Sequence, residues 1–539
     1  MHFFKQSIAV VLTFMIISTV LTGCAQSKET DIEKDVLQKI SNPYEEKLEI
    51  SISFWGIENS FRKGVDDALL KEVEEKFNVT FKVIPTAWSD WSEKYITYAA
   101  SGELPDVFAH DIIGNSIYHN WIKEGLIRSI PEDLSKYPNV QKIFNQADAK
   151  KTKYVDGNYY MIPRQTYKSV NRWALDRVIM VRKDWMENLG ISDPQNFEEF
   201  KAMLKAFVED DPDNNGKDDT IGLVINNMNF AALLFLGSYP ELSNIPRCWV
   251  KEDSKWMPAY ANKKAIDAIG QLKELYQEGL LYKNFAIANT EDAKNKFAEG
   301  KAGVFFYGNS YNYIPDMWDR YNPDQNFLDS VKYLHMWPAP DGNIYKYTEA
   351  TWWSESYFSS KCSDEKMERI LAIYDWTLSE EGSLTCRLGI KGKDWDVKNG
   401  EIVITRPKDE NGNFINMFEY YPSFEVLSNM AAWQQDIMYE KNALNNSICG
   451  EDVVDMSIRE MAWHDNNAKI VNYNYDIVFM STPAKDRLSR VNINDEIVKI
   501  ILSEKSVEEA YNDMIDRLNE NGLQEAINEV TAKAAQLGY

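Results

Sequence analysis

The segment Glu49-Ile-Ser-Ile-Ser-Phe-Trp-Gly56 sets the fold class of this chain. Ile50, Ile52 and Phe54 fall on alternate positions, the period-two pattern of a strand with one buried face. Val65, Leu69, Val73 and Phe77 then recur every four residues, which predicts an amphipathic helix ending near Asn78. Val79, Phe81 and Val83 return to alternation as a second strand. A helix over Trp91 to Ala100 is expected to stop at Ser101-Gly102, ahead of a third strand around Asp106-Val-Phe-Ala109. The next helix carries Ile117, Trp121 and Ile122 and ends at Gly125. Strand and helix alternating in this way predict an α/β fold with a mostly parallel sheet and right-handed crossovers. Such sheets bind ligands beyond the carboxyl ends of their strands, which draws attention to Trp55, Trp88, His110 and Asp111. The turn after the first strand lacks G-x-G-x-x-G, so no dinucleotide is expected.

The chain has 539 residues, 44% apolar and 26% charged, which excludes disorder and is long enough for more than one lobe. Acidic residues number 83 and basic residues 59, a formal charge of −24. Phosphate backbones need basic surface, so no nucleic acid partner is expected. Five cysteines (Cys24, Cys248, Cys362, Cys386 and Cys449) are too scattered for a disulfide scaffold. They show no C-x-x-C spacing, so no structural zinc site is read from them. Cys248, Cys362, Cys386 and Cys449 read as buried thiols, with room for one disulfide outside the cell. No G-x-S-x-G, H-E-x-x-H or G-x-x-x-x-G-K-[ST] pattern occurs, and paired acids are uninformative in so acidic a chain. The chain is therefore read as a non-enzyme.

The amino terminus reads as an export signal. Lys5 precedes an apolar run from Ile8 to Val20, which is too short to span a bilayer but fits a secretory core. Leu21-Thr-Gly-Cys24 follows, and the whole resembles a bacterial lipoprotein signal cleaved before Cys24. That resemblance implies diacylglyceryl attachment at the Cys24 thiol, anchoring the protein to the lipid bilayer on the extracellular face of the cell membrane. Residues 1–23 are then the signal, and the polar stretch 24–47 is the anchor and a flexible tether.

Further along, six stretches occur in a fixed order. They are Ala100-Ser-Gly-Glu-Leu-Pro-Asp-Val-Phe108, Lys123-Glu-Gly-Leu-Ile127, Arg182-Lys-Asp-Trp-Met-Glu-Asn-Leu-Gly190, Phe297-Ala-Glu-Gly-Lys-Ala-Gly303, Trp376-Thr-Leu-Ser-Glu-Glu-Gly382 and Asp513-Met-Ile-Asp-Arg-Leu-Asn-Glu-Asn-Gly-Leu523. Together they resemble the large family 1 extracellular solute-binding lipoproteins of carbohydrate ABC importers, the LipO/YtcQ-like group. The resemblance covers nearly the whole chain after the signal. It implies a periplasmic-binding-protein-like (type II) fold of two α/β lobes with a hinged cleft, a carbohydrate ligand and ABC permease subunits as membrane partners. Lobe 1 is expected to begin with residues 48–165 and lobe 2 with 166–337, while 338–539 returns to both lobes. Crossings are expected near Ile162–Ser169 and Pro338–Tyr347. Val507, Ala510, Tyr511, Met514, Ile515 and Leu518 form one apolar stripe, read as core.

Asp211-Pro-Asp-Asn-Asn-Gly-Lys-Asp-Asp219 has the spacing of a calcium loop. Asp211, Asp213, Asn215 and Asp219 supply side-chain oxygens, Lys217 supplies its backbone carbonyl and Gly216 makes the turn. Gly222 stands where a full EF-hand has its bidentate glutamate, and Thr220 follows the last aspartate. A structural Ca2+ is the expected cofactor; the other reading is an acidic solvated turn, which Asp, Asn and Gly also form.

Sugars present flat C–H faces to aromatic rings and hydroxyls to bidentate polar groups. On that basis the ligand candidates are Trp55, Trp88, His110, Asp111, Arg164, Asn309, Trp352 and Trp353. If Trp352 and Trp353 share a strand, one of them must point into a core. His110 beside Asp111 reads as a hydrogen-bonded strand end rather than a catalytic group. The function expected is capture of a carbohydrate, an oligosaccharide by preference, for import. The alternatives are a sensory or adhesive sugar-binding lipoprotein, an extracellular glycoside-active enzyme, or a peptide ligand on the same scaffold.

Overall fold

A computed structural model of the chain describes residues 44–61, 65–87, 90–175, 177–225, 228–288, 290–307, 318–410, 414–415, 417–433, 441 and 450–539. Cys24, Trp88, Asn309 and Cys449 lie outside the described residues. From Leu48 to Tyr539 the chain forms one compact unit, built on two mixed sheets.

The first sheet has strands β1 (Leu48–Ser53), β2 (Val79–Val83), β3 (Val107–His110) and β4 (Ile162–Gln165). The second has β5 (Val178–Arg182), β6 (Ile221–Ile225), β7 (Ala302–Tyr307) and β8 (Val331–Tyr333). A ninth strand, β9 (Trp352–Phe358), returns to the first sheet, whose order is β2-β1-β3-β9-β4. The second sheet runs β8-β5-β7-β6. This is the two-lobe α/β architecture. The opening expectation of a mostly parallel sheet holds for β2, β1 and β3. It needs correcting elsewhere: β9 inserts antiparallel between β3 and β4, and β5 runs antiparallel to both β7 and β8.

Local chemistry explains the helix boundaries. The helix read through Val65 begins only at Ala68 (α1, Ala68–Phe77), because the Asp67 carboxylate accepts the Leu70 N–H and caps it. Val65 is left outside and exposed. α2 (Trp91–Ser101) ends at Gly102, whose φ of 69° provides the left-handed cap. α3 (Ser116–Lys123) is capped by the Asn115 side chain.

The chain passes between the sheets after β4, and again between β8 and β9. Ile162–Gln165, expected as part of a crossing, is strand β4, so that crossing begins at Thr166. The two passages are bonded together: Thr166 and Tyr167 donate their N–H groups to Thr351 O, both at 2.9 Å. Trp353 N–H donates back to Thr166 Oγ1 at 2.8 Å. Further along lies α5 (Glu451–Asn467; α4 is Phe197–Glu209). Residues 468–470 then pair with 344–346. The last two helices, Val507–Glu520 and Leu523–Gln536, bury Ala510, Tyr511, Met514, Leu518 and Val530 in the core of the second sheet. The apolar stripe is therefore core. Cys248, Cys362 and Cys386 are free and buried.

Candidate functional site

Strand register assembles one edge of the first sheet. β1, β3 and β4 all end there, and antiparallel β9 begins there, with Glu355 opposite His110 and Trp352 opposite Gln165. Trp55 follows β1 by two residues. Gly56 then turns the chain with φ 70°, a left-handed conformation that glycine adopts without penalty, and its N–H bonds Thr86 O at 3.0 Å.

Four indoles meet at this edge. Trp55 lies 4.6 Å from Trp353, 5.3 Å from Trp91 and 6.4 Å from Trp433, measured between ring centroids. Trp353 and Trp433 are 5.4 Å apart and nearly perpendicular. Trp55 is buried, while Trp91, Trp353 and Trp433 are half-buried. The pair Trp352-Trp353 divides as the strand period requires. Trp352 is buried against Phe479 and donates its indole N–H to Glu355 Oε1 at 3.1 Å. A bulge follows between Trp352 and Glu355, where Ser354 takes φ 67°. A non-glycine residue in that region stores strain of about 1 kcal/mol, and bulges re-aim side chains near sites.

Arg164 is buried beneath the indoles. Its guanidinium donates to Asn429 O through Nε (3.1 Å) and to Ser354 Oγ (2.9 Å). It also lies 5.1 Å from the Trp55 ring and 5.5 Å from that of Trp433. Burial pulls its pKa down to about 10, still charged at neutral pH. A buried cation is thus held by one carbonyl, one hydroxyl and ring faces at the floor of an aromatic edge.

His110 is not at the surface of this edge. It is buried against Trp91 (4.8 Å), Tyr95 (5.4 Å) and Trp121 (5.8 Å), and its Nδ1 accepts the Asp111 N–H at 2.8 Å. Burial pushes its pKa down to about 3, so the ring is neutral. Asp111 does face outward, and it pairs with Arg247 at 2.5 Å. Arg247 belongs to the segment that feeds the second core through Cys248 and Trp249, so the pair ties one lobe to the other. Asp111 and Arg247 line a cavity of about 200 Å³. A larger cavity, about 690 Å³, sits against the crossings and is lined by Asp148, Lys168, Thr348, Thr351, Tyr473 and Tyr475. Glu355, close to Asp111, accepts from Ile112 N–H (3.2 Å) and Tyr357 OH (2.9 Å). Burial, then the Asp111 charge, push it up to about 8.

Trp91 and Trp433 were not anticipated. Trp91 opens a helix and Trp433 lies in an irregular stretch, so neither carries a periodic signal; only the high tryptophan count hinted at them.

The acidic loop lies between α4 and β6. Asn215 sits among its carboxylates: its amide NH2 donates to Asp213 (2.8 Å) and Asp219 (3.1 Å), and Asp211 accepts the Asn215 and Gly216 N–H groups. Burial and the neighbouring Asp211 and Asp219 charges raise the Asp213 pKa. Oxygen-rich and mutually repelling, this donor set suits a hard divalent cation once the Asn215 amide turns its oxygen inward. The Lys217 N–H donates to Asn215 Oδ1 at 2.7 Å, so in this structure that oxygen faces the loop backbone. The glutamate position is closed for a packing reason: Gly222 is in β6, and a Cβ there would lie 2.7 Å from Leu280 O. Thr220 is turned away, donating to Phe207 O at 2.7 Å.

The profile of the family described as bacterial extracellular solute-binding protein matches residues 59–382, more than half of the chain. This chain belongs to that family. Among its relatives, the polygalacturonan/rhamnogalacturonan-binding protein YtcQ of Bacillus subtilis (strain 168) is 26% identical over 75% of this chain and 77% of its own length. Lipoprotein LipO of the same organism is 28% identical, covering 66% of this chain and 69% of itself. The crystal structure of the alginate-binding protein AlgQ2 without calcium ion superposes with a TM-score of 0.69 at 16% identity, covering 91% of this chain and 98% of that one. The ABC-transporter substrate-binding protein FusA of S. pneumoniae, in complex with kestose, gives 0.65 at 18% identity over 91% and 99%. These two likenesses establish the two-lobed solute-binding fold for this chain. The family is one of extracellular solute-binding proteins, and solute binding is the function it gives this chain.

Proposed function

We propose that this solute-binding protein captures an oligosaccharide against the tryptophan edge of lobe 1 and delivers it to an ABC permease as the lobes close. The observation that carries the reading is the cluster of Trp55, Trp91, Trp353 and Trp433 at the carboxyl ends of β1, β3 and β4, over the buried Arg164. Half-buried indoles offer flat apolar faces to sugar rings, and such edges are where α/β sheets hold ligands. The likeness to YtcQ, a polygalacturonan/rhamnogalacturonan-binding protein, and to FusA in its complex with kestose supports a carbohydrate ligand. Trp353 and Trp433 stack on the sugar, Asp111 and Arg247 close the mouth, and Arg164 and His110 hold the wall from behind. Lobe 1 begins with 48–165 and lobe 2 with 166–337, and the later crossings carry 338–539 back to both.

Two further parts belong to this reading. Cys24 is acylated and holds the protein on the extracellular face of the membrane through the tether 24–47, a reading in keeping with the lipoprotein name of LipO. Asp211, Asp213, Asn215, Asp219 and the Lys217 carbonyl hold a structural calcium ion; the description of a FusA structure as an EF-hand mutant fits this. Isothermal titration against a panel of neutral and uronate oligosaccharides tests the function. Binding of at least one glycan with no release of cleaved sugar is expected. Indifference to every glycan, or cleavage products, would overturn it.

A further inference from the structure

The second lobe carries a donor set that sugar capture does not use. His335 lies two residues beyond β8, in the second crossing. Glu460 and His464 are four residues apart on α5 and so share one face of that helix. The ligand atoms of all three lie within 4.8 Å of one another, the one set of three histidine, cysteine or acidic side chains among the described residues that converges so closely. His335 Nε2 and Glu460 Oε2 are 2.7 Å apart. Trp463 stacks face to face on the His335 ring, with centroids 3.4 Å apart at 10°, which fixes the imidazole plane. His464 Nδ1 is buried and has no hydrogen-bond partner among the described residues. A buried nitrogen with an unused lone pair or N–H is normally avoided, so an imidazole that carries one and lies beside two other donors calls for a partner. His335 and Glu460 keep 27% and 19% side-chain exposure, leaving an entry path.

We propose that His335, Glu460 and His464 bind a divalent transition-metal ion of the zinc class. Two imidazoles and one carboxylate suit a borderline ion, whereas calcium asks for six to eight oxygens. With bonds of about 2.0–2.2 Å, tetrahedral ligands sit roughly 3.3 Å apart. The His335–Glu460 pair must open slightly and the widest gap must close, movements of about an ångström within side-chain freedom. The ion takes the place of the direct contact between His335 and Glu460, and a water takes the fourth position. Its placement has a structural consequence. The crossing that carries His335 continues into 344–346, which pairs with 468–470 directly after α5. α5 also packs on 170–175, at the end of the first crossing. The ion would therefore staple the connections between lobes on the lobe 2 side, apart from the tryptophan edge and from the acidic loop.

The test uses chelator-stripped full-length protein with calcium present throughout, so that the acidic loop stays supplied. Cobalt(II) is titrated as the spectroscopic probe and zinc by calorimetry. One cobalt per chain with visible tetrahedral bands is expected, displaced by zinc, together with a rise in Tm on adding zinc. His464→Ala should abolish both signals and Glu460→Gln should weaken binding at least about tenfold, with sugar binding unchanged. Absence of cobalt bands and of zinc heat in the wild-type protein would overturn the proposal. Unaltered binding in His464→Ala of native circular dichroism would do the same. Should His464→Ala fail to fold, His335→Gln serves in its place with the same two outcomes.

Discussion

Replacing Trp352 or Trp353 by alanine should separate stability from binding between adjacent residues. Trp352 is buried and gives up its contact with Phe479 and its indole hydrogen bond to Glu355. Truncating a buried tryptophan costs about 3–5 kcal/mol, and Glu355 is left short of a donor. Trp353 is half-buried and loses two ring contacts, with Trp55 at 4.6 Å and Trp433 at 5.4 Å. At about 0.5–1.5 kcal/mol each, these amount to roughly 1–3 kcal/mol of stability. Its effect on binding is larger in proportion: a tryptophan anchor is worth about 2 kcal/mol or more, so oligosaccharide Kd should rise about 30-fold. Trp352→Ala should leave Kd within about threefold while Tm falls further. Calorimetric titration at a temperature well below both Tm values, alongside thermal melts, reads the two quantities separately. Equal losses of affinity in both variants, or an unchanged Kd in Trp353→Ala, would refute the division that the strand period imposes.

Three further outcomes are expected. Buried His110 and His119, held down to about 3 and about 4 against 6.5 in the unfolded chain, stay neutral while the unfolded state takes up protons, so between pH 6.5 and 5 these two imidazoles together withdraw about 3 kcal/mol of stability. Glu355, at about 8 against 4.5 when unfolded, keeps a proton that the unfolded chain has released, so its own contribution to stability falls as pH rises from about 4.5 to 8; denaturant melts should show the stability of Glu355→Gln gaining on the wild type across that window and levelling off above it. Arg247→Gln removes a part-exposed pair worth up to about 1 kcal/mol, so ligand-free protein should shift toward open forms about fivefold, seen by small-angle scattering as a larger radius of gyration; an unchanged radius would dismiss the Asp111–Arg247 pair as a tie between the lobes. Calcium should raise the Tm of the wild-type protein but not of Asp213→Ala, and equal responses would remove the metal from the acidic loop.

The local elements of the first lobe were readable because they obey local rules. Alternation at Ile50, Ile52 and Phe54 marked β1, and Gly102 marked the end of α2. Val65 misled because its spacing fits the helix while the Asp67 cap, a side-chain event, starts it later. Strand β9 joins β3 and β4 from far along the chain, and no periodicity specifies an antiparallel insertion of that kind. The site shows the same split. Trp55 and Asp111 were singled out by following strands to their carboxyl ends and Trp353 as an aromatic face for a sugar, and all three lie at this edge, whereas Trp91 and Trp433 reach it from a helix start and an irregular segment. The acidic loop was legible because its donors are consecutive, while the reason for Gly222 lies in the Leu280 carbonyl packed against it. His335 stands far in sequence from Glu460 and His464, and only the fold brings them together.

The most direct test of the account is a crystal structure of the protein with the best-binding oligosaccharide from the calorimetric panel. Capture at the tryptophan edge predicts a sugar ring in van der Waals contact, about 4 Å, with the face of Trp353 or Trp433 and both lobes closed on it. A saccharide bound elsewhere, with all four indoles of that edge untouched, would contradict it.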